Sequence, residues 1–141
     1  MTAGDGPFYC AVDGRGTIYL PLLGIESLVF PRGSFRDRDF ALSYVVAHEW
    51  AHHVQRLLGM FSRGWPSKRI ELQADCLAGV WAYSVWYRNL LEPGDVEEAV
   101  ALADLVGDPP GVPAGRDAHG TGAQRKKAFL VGYRTGNPSK C

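Results

Sequence analysis

The sequence has no excess of charge and no long apolar run. Lysine plus arginine and aspartate plus glutamate each number 15, so the formal net charge at pH 7 is zero. A neutral chain without a basic arm lacks a field that attracts nucleic acid or an anionic membrane. The best apolar candidate, residues 77–87, is shorter than the roughly 20 residues that span a bilayer, and the first seven residues do not resemble a secretory signal. We therefore expect no nucleic-acid partner and no membrane segment in this chain.

Cysteine is scarce, with only Cys10, Cys76 and Cys141. None belongs to a C-x-x-C pair, which argues against a zinc finger built from thiolates. An odd number leaves at least one thiol free in a monomer, and spacing alone does not show whether the other two are bonded. The sequence thus leaves the redox compartment open, and we interpret Cys76 as a small buried residue.

Length and composition indicate one globular domain. The chain has 141 residues, of which 46% are hydrophobic and 21% charged, both ordinary values. A chain of this length buries one core more readily than two. We expect residues 1–141 to form a single domain of unknown oligomeric state.

The N-terminal segment predicts a β-hairpin. Residues 8–12 and 16–20 are rich in aromatic and β-branched side chains, and a glycine-containing turn at residues 13–16 separates them. Pro21 ends the second strand, and the apolar residues 22–30 are compatible with a short helix over the core.

Four longer helices are predicted at residues 37–58, 68–89, 95–106 and 121–134, with a loop rich in proline and glycine at residues 108–120. In the first, apolar residues recur at spacings of four and three, which indicates a buried stripe. The stripe consists of Phe40, Tyr44, Ala47, Ala51, Val54 and Leu58. The expected N-terminal caps are Ser67, the pair Asp95 and Glu98, and the pair Thr121 and Gln124. The pattern predicts a mostly helical α+β fold, with the hairpin packed on the first long helix.

That helix contains His48-Glu49-Trp50-Ala51-His52, which matches H-E-x-x-H. Residues four apart lie on one helical face, so both imidazoles can reach one metal ion. Glu49 lies beside that row and can accept a proton from a metal-bound water without binding the metal itself. The spacing predicts one zinc ion held by His48 and His52, with Glu49 as general base.

A catalytic zinc usually takes three protein ligands and keeps one position for water. Glu71, on the next predicted helix, is the nearest third ligand if that helix returns antiparallel. Asp75, one turn further, can accept a hydrogen bond from the free ring N–H of a ligand histidine, the nitrogen that does not bind the metal. Carboxylates on an apolar segment are costly to bury without such partners.

Other interpretations are open for each of these residues. H-E-x-x-H occurs by chance, buried histidines are often ordinary core residues, and Glu71 and Asp75 could form a solvated helix face. His53 is interpreted as structural or surface. His119 lies in a glycine-rich loop, where it could donate to the oxyanion of a tetrahedral intermediate or could cap a helix. Arg125 and Tyr133 are weaker candidates for the oxyanion role.

The sequence resembles the bacterial neutral zinc metallopeptidases over nearly its whole length. The matching stretches are Gly6-Pro7-Phe8-Tyr9-Cys10, Ala47-His48-Glu49 with His52-His53-Val54-Gln55, residues 71–82, and His119-Gly120-Thr121 with Ala123-Gln124-Arg125. The resemblance implies a zincin-like fold and a glutamate third ligand of the gluzincin type at Glu71. Relatives often carry an N-terminal membrane anchor and a further region before the first stretch. The resemblance also implies that Cys10 is unpaired here if its usual partner cysteine lies in that further region.

Our hypothesis is a zinc-dependent endopeptidase that acts on a peptide or protein. Glu49 would take a proton from the metal-bound water and later pass it to the leaving amine. Residues 17–20 could bind an extended peptide by strand addition. One alternative is a non-catalytic zinc-binding domain, derived from a protease, that binds protein partners. Another is a membrane-associated chaperone or scaffold in which the metal is only structural. The intact Glu49 favours the enzyme, because binding alone needs no base.

Overall fold

The computed structural model describes residues 6–12, 14–30, 38–111, 113, 115 and 117–141. Strands β1 (Phe8–Cys10) and β2 (Thr17–Tyr19) pair antiparallel, with Tyr9 opposite Ile18. The predicted hairpin is confirmed, although its strands are three residues long, and Asp13 of the predicted turn lies outside the described residues. Tyr9 hydroxyl lies 3.0 Å from His53 Nδ1, so the hairpin packs on the motif helix as expected.

Five α-helices follow within the described part of the chain. They are α1 (Leu22–Val29), α2 (Asp39–Leu57), α3 (Ser67–Tyr87), α4 (Asp95–Leu105) and α5 (Gly122–Thr135). Short 3₁₀ turns, Met60–Arg63 and Pro138–Lys140, follow α2 and α5. The predicted mostly helical α+β fold is therefore confirmed. None of these helices combines the length and apolarity that a bilayer crossing requires.

Helix α2 lies at the centre and packs antiparallel on α3. Tyr44, in the first half of α2, contacts Asp75 on α3. Gln55, near the end of α2, contacts the carbonyl of Ile70, which lies earlier in α3. The predicted stripe is buried at Phe40, Tyr44 and Ala51. Leu58 is instead 58% exposed, because α2 ends at Leu57 and the chain turns at Gly59 with φ +66°.

Two of the three predicted caps are wrong. Ser67 is the first residue of α3, and Pro66 precedes it without a side-chain bond. Gly94, with φ +102°, takes the cap position of α4, a backbone conformation that favours glycine. Glu98 instead reaches across to accept the Phe40 N–H at the start of α2. The Thr121 and Gln124 capping box of α5 is confirmed.

Helices α3 and α5 approach closely because both carry glycine at the contact. A Cβ added at Gly79 would overlap the Phe129 carbonyl, and one added at Gly132 would overlap the Cys76 carbonyl. Cys76 is buried, as interpreted from the sequence, and a disulfide joins it to Cys141, a pairing that spacing alone did not show. Cys10 is free. These contacts fix α5 against the helix that carries Glu71 and Asp75.

Candidate metal centre

Helices α2 and α3 bring His48, His52 and Glu71 to one point. The two Nε2 atoms lie 3.1 Å apart. Glu71 Oε2 is 3.2 Å from His48 Nε2, and Oε1 is 3.4 Å from His52 Nε2. Two ligands bound tetrahedrally at zinc distances are themselves about 3.3 Å apart. The spacing of these three side chains therefore suits a zinc ion.

Asp75 fixes the orientation of the His48 imidazole. Its Oδ1 lies 2.8 Å from His48 Nδ1, and the carboxylate is 0% exposed. An ionised carboxylate only accepts hydrogen bonds, so Nδ1 must carry the proton. In the neutral ring, Nε2 then presents a lone pair to the point shared with His52 and Glu71.

Gln55 performs the same task for His52, and we did not predict it from the sequence. Gln55 Nε2 donates to the Ile70 carbonyl at 2.8 Å and to Gln73 Oε1 at 3.0 Å. Its Oε1 is therefore the acceptor that lies 2.8 Å from His52 Nδ1. This bond assigns the proton to Nδ1 of His52 and, in the neutral ring, leaves a lone pair on Nε2.

The donor chemistry of the three groups fits a divalent cation. When both rings are neutral, two imidazole lone pairs and one carboxylate converge on the same point. Glu49, Glu71 and Asp75 supply three negative charges here, and Arg125 supplies one positive charge. A cation of charge +2 at the convergence point would balance the site, as buried charges require.

The pKa values report the same attraction for a cation. Burial lowers the pKa of His48, but the charge and hydrogen bond of Asp75, with the bond to Glu71, raise it to about 9. Burial raises the pKa of Glu71, but hydrogen bonds and charge from both histidines outweigh burial and lower it. A proton on His48 thus takes the place of a metal when none is bound.

Arg125 and Tyr44 complete the surroundings of Asp75. Arg125 Nε donates to Asp75 Oδ2 at 2.8 Å, and Nη2 donates to Oδ1 at 3.0 Å. The Tyr44 hydroxyl donates to Oδ1 at 2.6 Å. Arg125 was predicted as a weak oxyanion candidate, yet its guanidinium is engaged with Asp75. Tyr44 was predicted only as part of the apolar stripe.

Glu49 lines a cavity of about 480 Å³ together with the three converging side chains. Burial raises the pKa of its carboxyl, and the nearby histidines lower it to a lesser degree. Among the described residues, no protein group forms a hydrogen bond with this carboxylate. A buried carboxylate with a raised pKa and no protein partner is suited to exchange protons with a molecule in the cavity.

His119 lies at the rim of the same cavity, with its side chain 41% exposed. Asp108 Oδ2 accepts the backbone N–H groups of His119 and Gly120, and Oδ1 lies 3.6 Å from His119 Nδ1. The imidazole does not cap α5, because Thr121 has that role. Asp108 therefore holds the loop so that His119 borders the cavity.

Two other candidates from the sequence lie elsewhere. The His53 ring contacts Tyr9 and Trp50, in agreement with a structural role. Tyr133 packs on Phe129 in the core and is not among the residues that line the cavity.

We predict that zinc affinity rises with pH between 7 and 9. His48 is protonated below a pKa of about 9 in the metal-free protein, and zinc requires the neutral ring. Each bound zinc then displaces a proton from this residue, so the dissociation constant should fall by about tenfold per pH unit. Competition with a chromophoric chelator measures it, and a constant that does not change over this range would contradict the assignment.

A family described as "Putative neutral zinc metallopeptidase" matches residues 2–141. The chain is 39% identical over 156 residues to Uncharacterized protein YpfJ of Escherichia coli K12. It is 42% identical over 161 residues to Uncharacterized protein Rv2575 of Mycobacterium tuberculosis H37Rv and to Uncharacterized protein Mb2605 of Mycobacterium bovis.

These alignments cover 96% of this chain but only 53% or 54% of each relative, so the chain spans about half the length of the curated relatives it matches. No solved structure gives a significant match. The family match extends over the hairpin, both helices of the metal centre and the His119 loop. The chain therefore belongs to the family described as "Putative neutral zinc metallopeptidase".

Proposed function

We propose that this chain is a zinc-dependent peptidase domain that hydrolyses peptide bonds. The observation that supports this most strongly is the convergence of three electron-pair donors, from His48, His52 and Glu71, in a cavity that Glu49 also lines, with no hydrogen bond to its carboxylate from the described residues. These three residues would hold the ion. When bound, zinc lowers the pKa of a water molecule and polarises a carbonyl group.

Glu49 is the proposed general base. It lies next to His48 on α2 and faces the same cavity, so a water molecule attacking a carbonyl there would be within its reach. Its raised pKa lets it hold the proton taken from water until the amine leaves. A solvated carboxylate would retain that proton less well, because its pKa is near the ordinary value for glutamate.

His119 is the proposed partner of the oxyanion. Asp108 accepts its backbone N–H, and its side chain lines the same cavity as the α2 motif. A donor held at the rim can stabilise the negative charge that develops on the carbonyl oxygen, without covering the cavity when substrate enters.

The cavity walls are suited to a peptide. Apolar side chains from three helices line it beside the polar groups, namely Leu28, Val45, Leu102 and Val106. Phe8 and Tyr9 of β1 also line it, whereas no residue of β2 does, so the strand that an extended peptide would meet at the cavity is β1. This geometry supports the peptide substrate over a small polar molecule.

Replacement of Glu49 by Gln should abolish hydrolysis and preserve zinc binding. The amide keeps the size of the side chain but cannot accept a proton, so kcat on a quenched peptide should fall by about 10²–10⁴-fold. The exposed Glu92→Gln serves as the matched control and should keep wild-type activity. Retained turnover in Glu49→Gln, with zinc bound, would remove Glu49 from its role.

Replacement of His119 by Ala should lower kcat about 10²–10³-fold, with little change in KM or zinc content. The reason is that the imidazole would contact the substrate's oxygen only as charge develops there. Asp117→Ala, an exposed change in the same loop, is the control. Steady-state kinetics decide the matter: a kcat within twofold of wild type would assign His119 to the loop structure alone.

A further inference from the structure

Arg125 connects four helices at one buried point. It lies in the first turn of α5, is 5% exposed, and binds both oxygens of Asp75 on α3. Its Nη2 also donates to the Tyr44 hydroxyl on α2 at 3.3 Å. Its Nη1 donates at 3.3 Å to the carbonyl of Val106, the residue that follows α4 and lines the cavity.

A buried ion pair joins helices at a large cost in desolvation free energy. Removing two charges from water costs several kcal/mol per ion, and apolar side chains of similar volume often stabilise a core as well. The pair is therefore a poor choice if packing is its only purpose. Asp75, however, has further partners, because the same Oδ1 that binds Arg125 also accepts the Tyr44 hydroxyl and the His48 N–H.

The two bonds from Arg125 determine where that oxygen points. A carboxylate held by one partner can rotate about its last torsion angle, whereas two parallel bonds from a guanidinium fix its plane. With the plane fixed, Oδ1 remains 2.8 Å from His48 Nδ1, and the Nε2 lone pair remains aimed at the metal position. The guanidinium also places a positive charge among the buried carboxylates.

We propose that Arg125 is a positioning residue of the metal centre, which sets cation affinity by holding Asp75 against His48. It acts through Asp75 and is not one of the three side chains that converge on the metal position. The inference rests on the metal ligands proposed above but not on peptidase activity, so a protein that binds zinc and cleaves nothing would leave it intact.

A double-mutant cycle with zinc affinity as the readout tests this proposal. The chains compared are wild type, Asp75→Asn, Arg125→Met and the double variant, each titrated with zinc against a chromophoric chelator. Loss of such a partner of a ligand typically weakens metal binding 10–100-fold. We expect Asp75→Asn and Arg125→Met each to weaken binding to that degree, and the double variant to be no weaker than Asp75→Asn by more than about twofold.

Two results would overturn the proposal. One is a zinc affinity of folded Arg125→Met within about twofold of wild type; the other is a double variant whose loss equals the product of the single losses. Lys126→Met, the adjacent change with a side chain 40% exposed, is the control and should bind zinc normally.

A second cycle covers the case in which Arg125→Met does not fold, because it leaves Asp75 without its countercharge. Arg125→Lys keeps the charge but cannot form two parallel bonds. We expect it to bind zinc more weakly than wild type and to have no further effect in the Asp75→Asn background. The cobalt(II) absorption spectrum should also shift, since the His48 ring would be held differently. Wild-type zinc affinity in Arg125→Lys would contradict the positioning role.

Discussion

The metal centre of this protein consists of three electron-pair donors that repel one another. The fold nevertheless brings them together. His48 and His52 each use their Nδ1 hydrogen on a buried acceptor, Asp75 or Gln55, so both Nε2 lone pairs face each other beside the Glu71 carboxylate. Such a group is stable only with a positive charge at its centre. In the metal-free protein a proton on His48 supplies it, and a divalent cation supplies it better.

The fold supports this point from several sides. Antiparallel packing of α2 on α3 aligns the motif with Glu71, and the Gly79 and Gly132 contact lets α5 approach α3. Arg125 then reaches Asp75 from α5, and the loop before α5 carries His119 to the cavity rim. The helices that form the core are thus the same helices that orient the site, so stability and metal binding should be linked.

The sequence predicted the parts of the site that depend on local geometry. The i, i+4 spacing of His48 and His52 determines their common face, and Thr121 with Gln124 forms a cap within one turn. The roles we did not predict depend on contacts distant in sequence: Arg125, predicted only as a weak oxyanion candidate, is 50 residues from Asp75. Gln55 lies one turn from His52 on the motif helix, but the groups that orient its amide are on α3, as is the carboxylate that Tyr44 binds. The same holds for Glu98, which binds α2 rather than its own helix, and for the pairing of Cys76 with Cys141.

The central claim is that three convergent side chains hold one metal ion. Elemental analysis of the purified chain tests it directly, after dialysis against buffer that contains trace zinc. We predict one zinc ion per chain in the wild type and a much lower content when Glu71 is replaced by Ala. A wild-type chain without stoichiometric metal, or a Glu71→Ala variant that retains the full amount, would contradict the account.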